Sequence, residues 1–375
     1  MIRLFSLLFT IFTNVSYAQV TPTVIRDRPS CSACRISLSL KATLGDANGG
    51  PGELHGNVRG VRADDAGNLF VSFFAWGELL AQFDRAGSFQ RRIGRLGSGP
   101  GEYRAAWLFE VIGDSLFIID PGTARLTVHS LRLNRELRSA SVSWLARASA
   151  LARSTDGTIV GNTVVETPEE AGYPLHQFSA DGKKLKSFGS VAPSLRPDLR
   201  LATMRSVAPG LSGGMWVAQV SSYDIELYDR AGSLIQLYRR EADWFPPGSG
   251  RIVTAQPDGE PPQPKVVGVQ EDERGRLWVL SIVADSGWRR AFSADRLPPR
   301  RAGAPQYYGV EDTNRLYDSV IEVIDPRSGK LISSTRVDEA LAAFAGRNMA
   351  WSSVEQGGLT GVAQVRLWGL AFREH

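Results

Sequence analysis

Short apolar runs alternate along the chain with clusters of Gly, Asp, Asn and Pro, and helical periodicity is nearly absent. That pattern predicts an all-β protein built from many short strands. A turn leads into a buried-strand run five times. Asp64-Asp65-Ala66-Gly67-Asn68 precedes Leu69-Phe70-Val71, and Gly113-Asp114-Ser115 precedes Leu116-Phe117-Ile118-Ile119. Asp156-Gly157-Thr158 precedes Ile159-Val160, and Ser212-Gly213-Gly214 precedes Met215-Trp216-Val217. Asp272-Glu273-Arg274-Gly275-Arg276 precedes Leu277-Trp278-Val279-Leu280. These strands start roughly 40 to 60 residues apart, a spacing that suits the blades of a β-propeller. Both faces of several runs are apolar, as radial stacking requires, because each blade then buries both faces on its neighbours.

Two further repeats locate the hairpins and the crossings. Asp84-Arg85-Ala86-Gly87-Ser88 returns unchanged as Asp229-Arg230-Ala231-Gly232-Ser233, each copy after an aromatic residue and before an apolar one. Looser versions start at Ala180 and Asp325. Asp caps such a turn and Gly supplies positive φ. The stretch Gly45-Asp46-Ala47-Asn48-Gly49-Gly50-Pro51-Gly52-Glu53-Leu54 aligns without gaps on Gly94-Arg95-Leu96-Gly97-Ser98-Gly99-Pro100-Gly101-Glu102-Tyr103. Each copy falls where one blade crosses to the next. Five blades are expected near 57–104, 105–143, 144–192, 193–250 and 251–340. In a sixth, Asn348–Glu355 and Val362–Phe372 read as inner and middle strands, and Ile36–Leu44 supplies the missing outer strand. The expected fold is therefore an all-β six-bladed β-propeller closed by its N-terminal strand, with seven blades as the alternative.

The Leu-Gly-Asp…Gly-Pro-Gly-Glu-Leu and Ile-Gly-Arg…Gly-Ser-Gly-Pro-Gly-Glu-Tyr segments, with the Asp-x-x-Gly hairpins, resemble exported bacterial six-bladed propellers related to NHL-repeat proteins. The resemblance covers essentially the whole mature chain and speaks to architecture, not to one activity. It brings in one enzymatic alternative. Related lactonases and lyases hold a divalent metal such as calcium at the central channel, using carboxylates, Asn or His drawn from several blades. Asp64, Asp65, Glu110, Glu166, Glu271 and Asp272 are the contributors such a site would draw on here.

Arg3, the apolar run Leu4–Phe12 and the small residues around Ser16-Tyr17-Ala18 have the layout of a secretory signal peptide cleaved before Gln19. The run is too short to cross a bilayer, which needs about 20 apolar residues. The expected organisation is a signal peptide at 1–18, a linker with Cys-x-x-Cys at 19–35 and one propeller domain at 36–375. The mature protein is expected in the periplasm or outside the cell, with no membrane span. The net charge is +4, and its positive part is almost all arginine, spread along the chain rather than blocked into arms. That distribution argues against nucleic-acid binding. Cys31 and Cys34 read as a local disulfide in an oxidising compartment, with a redox pair as the alternative. Arg35 stands where c-type haem attachment needs His, and a closed zinc site needs two more ligands.

Sequence signals for catalysis are few. His55, His129, His176 and His375 are scattered, and no His-Glu-x-x-His, Gly-x-Ser-x-Gly or Walker loop occurs. Gly97–Gly101 is glycine-rich, but no helix follows to hold a phosphate. The variable connections between second and third strands instead carry aromatic residues: Trp76, Tyr173, Tyr223, and, in a long insertion from Asp285 to Tyr317, Trp288 and Tyr307. Interfaces are enriched in such side chains. The expectation is a non-enzymatic binding or scaffold propeller, without a cofactor, that takes a protein, peptide or small-molecule ligand at one end of the ring.

Overall fold

The computed structural model describes residues 20–26, 28–74, 80–106, 108–145, 147–163, 172–189, 203–246, 255–297, 307–356 and 361–374. The expected signal peptide lies outside them. Six antiparallel four-stranded blades follow one another along the chain. From inner to outer strand, blade 1 is Asn57–Ala63, Leu69–Phe74, Leu80–Phe83 and Phe89–Ile93. Blade 2 is Leu108–Ile112, Ser115–Asp120, Arg125–Ser130 and Arg135–Ser141. Blade 3 is Ala150–Arg153, Ile159–Asn162, Leu175–Phe178 and Lys184–Phe188. Blade 4 is Arg205–Pro209, Met215–Gln219, Asp224–Tyr228 and Leu234–Arg240. Blade 5 is Lys265–Glu271, Leu277–Ala284, Tyr317–Asp325 and Lys330–Val337. Each inner strand touches the next, and that of blade 6 touches that of blade 1, so the ring is closed with six blades.

Blade 6 joins the chain ends. Its strands are Ala343–Gly346, Met349–Gln356 and Val362–Arg373, and Arg35–Leu44 pairs antiparallel with the last of these as the outer strand. The N-terminal closure is as expected, but the inner strand is not. Residues 348–355 belong to the second strand, and Ala343–Gly346 holds the inner place. The hairpin between them turns at Arg347-Asn348, with Asn348 at φ 55°. Gly346 closes the inner strand just before the turn, and the positive-φ place itself is taken by Asn348.

The core lies between blades. Among the described residues, a separate buried apolar cluster fills each of the six interfaces. Successive side chains of a strand point to opposite faces, and the second strands show the consequence. Leu277 and Val279 face blade 4, whereas Trp278 and Leu280 face blade 6. Leu69 and Val71 face blade 6, whereas Phe70 faces blade 2. Continuous apolar runs are therefore what this architecture demands.

The repeated turns also act between blades. Asp84 Oδ1 accepts from the amides of Ala86 and Ser88, each at 2.9 Å, and Asp229 Oδ1 accepts from Ser233 N at 2.8 Å. Gly87 (φ 90°) and Gly232 (φ 82°) sit at the same place in blades 1 and 4 and rest on the outer strand of the preceding blade. In the crossing, Glu102 accepts from Ser98 N at 3.0 Å and Gly99 N at 2.8 Å, and Tyr103 is fully buried.

The described residues of 20–34, expected as a linker, are laid around the outside of the ring. Thr23–Ile25 pairs in parallel with the outer strand of blade 4. Ser30 N and Cys31 N donate to Leu331 O and Ile332 O of blade 5 at 2.8 and 3.3 Å. The chain then enters blade 6. Cys31 and Cys34 are joined by a disulfide on this path.

Candidate functional site

The inner strands of all six blades enclose a cavity of about 800 Å³ on the ring axis. They start at one end, called the upper end below, where the connections between second and third strands also emerge. Arg59, Arg62, Arg153, Arg205, Lys265 and Arg347 line the cavity, against Glu110, Glu271 and Glu273. Each of these acids is already bonded. Glu110 accepts from Arg62 Nε of the neighbouring blade at 3.1 Å. Glu271 accepts from Trp216 Nε1 and from Leu211 N, both at 2.8 Å. Glu273 pairs with Arg347 at 3.0 Å.

The charges divide along the axis. Glu271 ends its inner strand, and Glu273 and Arg347 lie beyond the ends of theirs, at the lower end. Arg59 and Lys265 lie towards the upper end; Arg59 is exposed and Lys265 half-buried. Lys265 Nζ stands 5.9 Å from the centre of the Tyr317 ring. Burial holds its pKa below the usual lysine value. Arg205 also starts an inner strand but is only 3% exposed. Its pKa is lowered by burial, with Glu226 opposing the shift. Glu226 is itself held above the usual carboxylate range by burial, and Tyr228 Oη donates to it at 3.0 Å. Arg205 thus belongs to the seam between blades 3 and 4. Its backbone is fixed there by Asn162 Oδ1, which accepts from Arg205 N at 2.9 Å.

The aromatic residues expected at the surface do not form one patch. Tyr223 is 4% exposed, and its hydroxyl donates to Glu322 Oε2 at 2.7 Å. It also packs on Trp244 and Phe245. Trp288 is 3% exposed. Both expectations of surface contact are therefore corrected, because neighbouring apolar groups draw the rings inward. The insertion carrying Trp288 has its own small core of Trp288, Ala291, Phe292 and Leu316. That core is built from a 3-10 turn at Trp288–Ala291, the hairpin Phe292–Leu297 with Tyr307–Val310, and the short helix Thr313–Leu316. Tyr173 is exposed at the upper end of blade 3. The backbone of Tyr307 pairs with Leu297, and its side chain lies outside the described residues. Trp76 and Glu166 also lie outside them.

Of the carboxylates that a channel metal would draw on, Glu110 and Glu271 line the cavity, and Asp64, Asp65 and Asp272 lie at turns. Asp64 caps its turn through Ala66 N and Asn68 N, and Asp272 accepts from Arg274 N, Arg276 N, Arg276 Nε and Trp278 Nε1. Asp65 is an exposed turn residue. His129 and His176 are buried in third strands, at 3% and 0% exposure, and burial lowers the pKa of His129. His55 is half-buried beside Glu53. Sequence reasoning passed over Arg59, Arg153 and Lys265. Their one signal is their position in inner strands, which is informative only once those strands are assigned to the ring axis.

No protein-family model matches the chain, and no curated protein matches it by sequence. Solved structures do match. A protein of Bacteroides fragilis, named as exported, superposes with a TM-score of 0.56 at 12% identity, covering 94% of this chain and 100% of that one. A virginiamycin B lyase from Staphylococcus aureus reaches 0.48 at 9% identity, over 90% and 100% of the two chains. A luciferin-regenerating enzyme reaches 0.46 at 12%, over 87% and 94%. The first match shows a shared fold along nearly the whole chain. At such identities nothing follows for chemistry. Among the described residues, no helix is long and apolar enough to cross a membrane.

Proposed function

We propose that this protein is an exported, non-enzymatic binding propeller that takes a small anionic ligand at the upper end of its central channel. The charge of the cavity carries the reading. Arg59 and Lys265 line its upper part, and the lining acids Glu110, Glu271 and Glu273 are each engaged by a neighbouring donor. Low-dielectric walls focus such a field and raise the local concentration of counter-charged ligands. A cavity of this size suits a small molecule. The same observations weigh against a channel metal, which needs several hard oxygen ligands converging on one point.

The test is a thermal-shift and calorimetric screen of dicarboxylates, sugar phosphates, aromatic carboxylates and neutral sugars. Anions should raise Tm, less so at high salt, and Lys265→Gln with Arg59→Gln should abolish the rise. Stabilisation by neutral sugars alone, or an anion effect that survives both substitutions, would overturn the reading.

A further inference from the structure

The cationic wall of the central cavity is almost entirely arginine. Among the described lining residues Lys265 is the exception, in a chain whose other lysines are Lys41, Lys183, Lys184, Lys186 and Lys330. The difference is chemical. A guanidinium keeps its proton in a protein, whereas an ammonium can lose one and expose a nucleophilic lone pair.

The surroundings of Lys265 favour that loss. The residue opens the inner strand of blade 5 at the upper end of the cavity and is half-buried there. Arg62 and Arg347 of the same wall hold Glu110 and Glu273 at 3.1 and 3.0 Å. Lys265 forms no ion pair with a described residue. Its Nζ stands instead 5.9 Å from the centre of the Tyr317 ring. A ring at that distance holds the charged form less firmly than a carboxylate in contact does. Burial lowers the pKa of the amine with no carboxylate to offset it, so more of the free base is present at neutral pH. Lysines in desolvated pockets beside other cations are the ones that act as nucleophiles towards carbonyl groups.

On the footing that the cavity binds anions, we infer that Lys265 captures the carbonyl group of a small oxo acid as an imine. The basic lining draws the carboxylate, and the amine meets the carbonyl carbon beside it. The Nζ lone pair forms the C–N bond while the C=O π pair moves to oxygen. That oxygen takes up a proton and nitrogen gives one up, leaving a carbinolamine. The hydroxyl then leaves with a proton as water, and C=N forms. Amine and carbonyl thus become imine and water, and nothing is oxidised or reduced. Protonated on nitrogen, the imine keeps a positive charge beside the carboxylate.

The experiment treats the folded protein with glyoxylate and sodium cyanoborohydride at neutral pH. Reduction turns each imine into a stable carboxymethyl-lysine, and peptide mass spectrometry gives the rate at every lysine. Lys265 should react at least about tenfold faster than the exposed Lys41, Lys183 and Lys330. Oxalate, an anion of similar size without a reactive carbonyl, should slow Lys265 and leave the exposed lysines unchanged. Thermal unfolding with oxalate reads anion binding separately. Equal rates at buried and exposed lysines would overturn the imine, while a Tm still raised by oxalate would leave the anion site standing. Fast reaction of Lys265 that oxalate does not slow would overturn the oxo-acid assignment.

Discussion

Arg240→Met should be the most damaging single substitution at the seam between blades 4 and 5. Arg240 ends the outer strand of blade 4 and Glu322 lies mid-strand in blade 5. Their side chains are 1% and 0% exposed. The guanidinium binds both carboxylate oxygens, Nε to Oε2 at 3.0 Å and Nη2 to Oε1 at 2.9 Å, while Tyr223 Oη donates to Oε2 at 2.7 Å. Arg240 is also the register partner of Ile25 in the N-terminal strap. Removing the arginine leaves a carboxylate in the core with one donor, and breaking a buried pair from one side costs about 3–5 kcal/mol. At about 2 °C per kcal/mol for a chain of this size, Tm should fall by about 6–10 °C.

Arg240→Met with Glu322→Leu tests the cause. Removing both charges removes the desolvation cost with the pair, and such replacements are often neutral or stabilising by about 1–4 kcal/mol. The double variant should therefore recover most of the loss, and the non-additivity measures the coupling. Tm comes from circular dichroism, and hydrogen exchange of residues 20–26 reports the strap. If the single and double variants melt together, the single loss reflects packing alone and the argument from an unpaired buried charge is refuted.

Two further outcomes are expected. Gly232→Ala should destabilise by about 1–2 kcal/mol, since alanine is disfavoured at positive φ and its Cβ would stand 3.1 Å from Phe188 Cγ; Ser233→Ala, next to it and exposed, serves as the control in urea unfolding. Burial raises the pKa of Tyr103, Tyr223, Tyr228 and Tyr317, and pushes Tyr238 up to about 12. Because unfolded phenols titrate near 10, the stabilisation from these tyrosines is complete below that pH and is lost as pH rises above it. Absorbance at about 295 nm should show these five ionising only together with alkaline unfolding, whereas a titration amplitude near pH 10 large enough to include them, with an unchanged circular dichroism spectrum, would contradict the burial account.

The architecture was legible because its signals are local and repeated. The Asp-x-x-Gly turn needs only five consecutive residues to state its geometry, and the chain states it at Asp84 and Asp229 in identical words. Both-face burial of Leu277–Leu280 is likewise written in the run itself. The inner strand of blade 6 was missed where that local grammar lapses, at a turn carrying Asn348 in place of glycine. The strap was missed for another reason. Thr23–Ile25 is an ordinary short strand whose partner lies more than two hundred residues away.

The site follows the opposite logic. A ring axis is lined by one short segment from each blade, so residues that act together are at least about 40 positions apart and share no motif. Arg59 and Lys265 meet the same cavity only because two inner strands start at the same end of the ring. The reverse error has the same root. Tyr223 and Trp288 read as surface anchors because each lies in a connection between second and third strands, yet Glu322, about a hundred residues on, satisfies the Tyr223 hydroxyl inside the fold. An aromatic residue in a propeller connection is therefore informative only after its partners are known. The charges of the inner strands become readable once the blade repeat has been placed, because that repeat fixes which residues reach the axis.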